Sequence, residues 1–155
     1  GLTGQGNLAV SPLQMMDLIA AIAGNGNAPL LRVVDAVRIP GQTAWEPVPV
    51  SGLSRALLTS ETAARMRDLM AMATEYGVAS AARAVSSVPV IGHAATPYSG
   101  PASTLQWFVG MTRFEDGTAI AVVVVVEDAP SPEVAAIAGG RAISAAAERY
   151  APVTR

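Results

Sequence analysis

The sequence predicts an α/β protein of the α+β type, built on an antiparallel sheet of at least three strands with helices on both faces. Three observations predict it. The run Val122 to Val126 is β-branched throughout and never alternates with polar residues, so the strand it forms must be covered on both sides. Glu115-Asp116-Gly117 divides that run from a second extended stretch and is a tight hairpin signal. Apolar residues at helical spacing precede and follow the strands, which supplies the covering layers.

Ser11-Pro12 opens a helix over 11–24, because serine caps free amides and proline suits the first turn. Met15, Leu18, Ile19 and Ile22 recur at helical spacing, and Leu13, Met16, Ala20, Ala21 and Ala23 leave the other faces almost as apolar. Such a helix is expected to be buried on most sides. Gly24-Asn25-Gly26-Asn27 ends it, since glycine and asparagine tolerate the left-handed conformation that closes a helix.

Residues 30–39 read as a short extended segment leading into a loop rich in proline and glycine, pinned by Trp45. A second helix spans 60–76, with Met66, Leu69, Met70 and Ala73 on its inner face and Arg65, Arg67, Asp68 and Glu75 turned to water. Gly77 stops it, and the alanine-rich stretch 78–85 forms another short helix. Strands are predicted over 88–94, 104–113 and 118–127. Trp107 and Phe108 are neighbours in the middle strand and so face opposite sides of the sheet. A final helix over 140–150 follows Pro130 and Pro132, its alanines suited to close packing. With no internal repeat or low-complexity linker, residues 1–155 read as one compact unit.

Composition excludes several functions. The chain is 51% apolar and 14% charged over 155 residues, ample for a core and incompatible with disorder. Its net charge of −2 comes from twelve acids and ten bases scattered without runs, so nothing attracts a phosphate backbone, and no nucleic-acid partner is expected. All ten bases are arginine, and lysine is absent. Cysteine is absent too, which removes disulfides, thiol catalysis and cysteine-based zinc sites. The longest apolar stretch, Ala119 to Val126, is far short of the roughly 20 residues a membrane-spanning helix needs. The first residues lack an initiator methionine and a signal-peptide pattern, so the sequence reads as a piece of a longer chain.

Several short motifs in one order carry a resemblance. Gly4-Gln5-Gly6-Asn7-Leu8-Ala9-Val10-Ser11-Pro12-Leu13-Gln14-Met15 is similar to a segment that reads GQG, a few apolar residues, then TPLQ and a helix. Val90-Ile91-Gly92-His93-Ala94 aligns with a strand reading KTGT-A, Trp107-Phe108-Val109-Gly110 with one reading AWFVG, and Val122 to Ala129 with the last strand. Together these resemble the C-terminal half of the transpeptidase domain of penicillin-binding proteins. The resemblance implies a peptidoglycan setting outside the cytoplasmic membrane and, for the family, D,D-transpeptidase activity.

The departures from the family pattern bear on that activity. The family's nucleophilic serine stands in an SxxK motif whose lysine accepts its proton, and a chain without lysine contains no such motif. The second motif, SxN, would lie before Gly1. At the third, Val90 stands where a lysine would attract the substrate carboxylate and stabilise the transition state, and His93 replaces a substrate-contacting threonine. The strand Val90, Ile91, Gly92, His93, Ala94 is therefore expected to line a degenerate substrate groove, with no catalytic residue, cofactor or metal ligand in the chain.

His93, the only histidine, could serve as the base of a hydrolase beside Ser86, Ser87 or Ser99, but the sequence supplies no orienting acid or oxyanion hole. Gly4 to Ala9 fits a nucleotide-binding glycine pattern, yet the helix starts only at Ser11-Pro12, too late for a phosphate cradle. Glu115-Asp116 reads as a turn rather than a metal site. Met66, Met70 and Met72 could form an adaptable binding surface, though their spacing favours core.

Two functions remain open. One is a transpeptidase-like domain without activity, serving binding or architecture in the cell envelope, possible partners being peptidoglycan or cell-wall proteins. The other is the C-terminal segment of an active D,D-transpeptidase whose serine and lysine motifs lie upstream. In the family the sheet has five strands, so the edge beside Val122 to Val126 is expected to pair with an upstream part of the same polypeptide or with a second copy.

Overall fold

The computed structural model describes residues 9–31, 34–49, 52, 54–97 and 105–150. Helix α1 (Pro12–Ala23) is opened by a reciprocal cap: the Gln14 amide donates to Ser11 Oγ at 3.2 Å, and the Ser11 amide donates to Gln14 Oε1 at 2.8 Å. Asn25 and Gly26 then take positive φ, 55° and 99°, which turns the chain out of the helix. The Gly26 carbonyl accepts the amides of Leu57 and Leu58, so the end of α1 is stitched to the start of the next helix. Paired strands β1 (Asn27–Ala28) and β4 (Arg55–Ala56) extend that stitch.

Between them β2 (Ala36–Val37) pairs with β3 (Glu46–Pro47). Among the described residues of the extended segment predicted over 30–39, only Ala36 and Val37 form strand, because pairing depends on the later residues Glu46 and Pro47 rather than on local propensity. Trp45 does not pin this loop by burial. It stays 65% exposed, with the Arg38 guanidinium 5.6 Å from its ring centroid.

Helix α2 (Ser60–Tyr76) starts where the Thr59 hydroxyl accepts the Thr62 amide, and it stops at Gly77. Short helix α3 (Ser80–Val85) follows. Strands β5 (Ile91–Ala95), β6 (Gln106–Arg113) and β7 (Ala119–Val126) form one antiparallel sheet in the order β5-β6-β7. The register pairs Gly92 with Gly110, His93 with Val109 and Phe108 with Val124. The β6–β7 turn is held at Asp116, whose Oδ1 accepts the Thr118 amide and hydroxyl at 2.9 and 2.6 Å, with Gly117 at φ 86°. Glu115-Asp116 is therefore a turn.

Helix α4 (Val134–Arg149) closes the fold. It begins at Val134, not at Gly140 as the sequence suggested. Glycine in a helix interior costs about 1 kcal/mol relative to alanine, so Gly139-Gly140 read as a start. Here the pair lets α4 approach: a Cβ on Gly139 would strike the Phe108 ring, and one on Gly140 the Ala82 carbonyl. Gly92 and Gly110 complete the cradle, since a Cβ there would lie 2.7 and 2.5 Å from Phe108 Cζ. Phe108 is fully buried as a result.

The sheet separates two apolar clusters. On one face Phe108, Val90 and alternate β7 valines, Val122, Val124 and Val126, pack against Ala79 and Ala82 at α3 and Ala135, Ala136 and Ile143 of α4. On the other, Met111, Ile91, Val109 and Val123 pack against Ile19, Ile22 and Ala23 of α1 and Met70 of α2. Helices α1 and α4 thus cover β7 from opposite sides, although Ala119 is exposed and the rest of the strand only half-buried. Its outer edge has no partner strand among the described residues.

Candidate functional site

Strand period decides what each residue of the 90–94 segment does. Side chains alternate across a sheet, and here Val90, Gly92 and Ala94 turn to the α3–α4 side while Ile91 and His93 turn to the α1–α2 side. Val90 is 5% exposed and belongs to the cluster around Phe108. Gly92 is taken up with admitting the Phe108 ring. The two halves of the segment therefore lie in different environments, one a closed core and the other a groove.

That groove has a volume of about 260 Å³. Met15, Leu18 and Ile22 of α1 form one wall, Met66, Leu69 and Met70 of α2 the other, and the cross-strand pair His93 and Val109 contributes from the sheet. His93 is exposed and is the only ionisable side chain among those lining it. The inner face predicted for α2 is thus only partly core. Met70 is buried, whereas Met66 and Leu69 keep 37% and 61% of their surface exposed as groove wall.

The hydrolase reading of His93 is not assembled by this geometry. Ser86 Oγ lies 3.1 Å from Ser144 Oγ of α4 and donates to the Val88 carbonyl at 2.8 Å, and the Ser87 amide donates to Ser144 Oγ. Both serines thus engage α4, across the sheet from His93. Ser99 lies outside the described residues, as does the glycine pattern from Gly4 apart from its last residue, Ala9. Among the described residues no group of three or more histidine, cysteine, aspartate or glutamate side chains could hold a metal ion.

Arg67 reads in the sequence as a solvent-facing charge, and the structure gives it a partner. Its Nη1 donates to the Ile22 carbonyl at 2.5 Å, joining α2 to the last turn of α1 beside the groove. Burial and the nearby Arg113 charge hold its pKa below the ordinary arginine value, against an opposing pull from Asp68. The only signal available in the sequence was the absence of a basic residue in the last turn of α1, which leaves that negative helix end to be served from elsewhere.

The chain matches the family model for the penicillin-binding protein transpeptidase domain over residues 1–149. Among solved structures it is similar to penicillin-binding protein A from M. tuberculosis, seen as an imipenem acyl-enzyme complex, with 23% identity and a TM-score of 0.75 over 92% of this chain and 32% of that one. It is also similar to a peptidoglycan synthetase from Bifidobacterium adolescentis, with 15% identity and a TM-score of 0.68 over 91% of this chain and 27% of the other. These likenesses establish the fold, and the chain spans about a third or less of either protein's length. No curated protein matches it significantly.

Proposed function

The chain belongs to the penicillin-binding protein transpeptidase domain family, and we propose that within it this chain is a degenerate module, serving binding or architecture in the cell envelope rather than peptide cross-linking. One observation carries this. The strand that aligns with KTGT presents Val90, an apolar side chain packed in the α3–α4 core, where the family's chemistry calls for a cation near the substrate carboxylate. No lysine elsewhere in the chain takes over that charge.

An extracytoplasmic location is part of the same proposal, and family membership supports it. No helix among the described residues is long and apolar enough to cross a membrane. The remaining part of such a module would come from the same polypeptide or from a second copy, meeting this chain along the outer edge of β7 and over the apolar groove. An unpaired, apolar strand edge promotes such association. Peptidoglycan or cell-wall proteins are the fitting ligands.

The test is acylation by a labelled β-lactam followed by mass spectrometry, on the chain and on its full-length parent. Neither should form a stoichiometric adduct. An adduct on the parent only would favour the second reading, a segment of an active D,D-transpeptidase completed by upstream motifs. An adduct on a serine of this chain would overturn the degenerate reading outright.

A further inference from the structure

Helices leave their last carbonyls without partners in the regular ladder, and at the end of α1 three of these can be followed. The Ala20 carbonyl accepts the Gly24 amide, and the Ala21 carbonyl accepts the Gly26 amide. The Ile22 carbonyl accepts from Arg67, 45 residues away on α2. This contact supplies a cation to the negative end of α1, which has no basic residue in its own last turn. Hydrogen bonds from charged donors are among the stronger ones, and partial burial strengthens them further.

The position of this bond matters because Ile22 and Met66, the neighbour of Arg67, stand on opposite walls of the groove. Elsewhere the facing walls are methionine, leucine and isoleucine, whose contacts are non-directional and set no fixed spacing. We propose that Arg67 is a positioning residue, a strut between α2 and the end of α1 that fixes the width of the apolar groove. This rests on the groove being a receiving surface, as proposed above, and adds what keeps it in shape.

The chain has no cysteine, so the pair Leu13→Cys and Glu75→Cys, both at exposed positions, can carry spin labels on α1 and α2. Double electron–electron resonance on the full chain then reads the helix separation directly. Arg67→Met, which keeps the apolar stem and removes the donors, should shift and broaden the distance distribution. A distribution identical to the parent's in a folded variant would overturn the strut.

Should Arg67→Met fail to fold, the guanidinium of the parent decides by NMR. Restricted rotation and slowed proton exchange at Arg67 support the proposal, and a freely rotating, fast-exchanging group overturns it. A neutral apolar dye, N-phenyl-1-naphthylamine, separates the two ideas. Dye bound by the parent and lost in Arg67→Met supports both, whereas a shifted distance with no dye binding to the parent retains the strut and removes the receiving groove.

Discussion

Both faces of the sheet are built from apolar side chains and yet end up in different states. Over the α3–α4 face, glycine and alanine let helices approach until Phe108 and Ile143 are fully buried. Over the α1–α2 face, long flexible methionine and leucine side chains line a groove, with Leu18 and Leu69 37% and 61% exposed. Small residues permit contact that is finished within the chain, and the large ones here leave apolar surface to be covered. The contrast between the two faces thus lies in side-chain size rather than in hydrophobicity.

The largest effect that can test this contrast is Val90→Lys. At this site the ammonium would enter the closed cluster beside Ala79, Ala82 and Phe108, a loss of several kcal/mol set against the roughly 5–15 kcal/mol of a typical domain. Thermal melting should show a steep loss of stability, and labelled β-lactam should still give no adduct. A variant that melts like its parent would mean that the α3–α4 face is looser than its packing indicates.

Gly139→Val probes the same face by volume. A side chain at this position meets the Phe108 ring, and overpacking a core of this kind costs about 1–3 kcal/mol, readable as a lowered denaturant midpoint. On the open face, Leu69→Gln should change stability by no more than about 0.5 kcal/mol, because Leu69 is already largely in water. A large loss there would show the groove to be closed in solution and would erase the contrast.

The smallest expected effect lies at the hairpin tip. Asp116 accepts two bonds from Thr118 and one from Tyr150, and the Thr118 side-chain bond is the main cause of a carboxyl pKa below the ordinary aspartate value. A depressed folded-state pKa gives stability that is present above the unfolded pKa and lost as pH falls through the folded one. Melts recorded as pH is lowered through and below the usual carboxylate range should lose this small increment, and Asp116→Asn should flatten that part of the profile. The group is fully exposed, so the change should be slight and sensitive to salt.

Much of this fold is legible in the sequence. The β-branched run, the Asp116-Gly117 turn and the helical spacings identify the three-stranded sheet and its covering layers, because each signal is local. The first turns of α4 are not legible, since Gly139-Gly140 opposes helix formation locally and is favoured only by Phe108 and Ala82, which approach from other elements. The two-residue strands between α1 and α2 likewise depend on distant partners. Periodicity marks the apolar face of α2 but cannot say whether anything lies over it, and Arg67 reads as a surface charge because its acceptor is a backbone carbonyl. The alignment with KTGT comes from resemblance, whereas the opposite orientations of Val90 and His93 follow from strand period alone.

The enclosure of Phe108 also has a temporal side. A phenyl ring turns over only when its neighbours move away, and around this one the missing side chains of Gly92, Gly110 and Gly139 have been replaced by the ring itself. Its half-turns therefore count the moments at which α4 lifts from the sheet, and the exchange broadening of its aromatic NMR signals would clock the breathing of the closed face without any label.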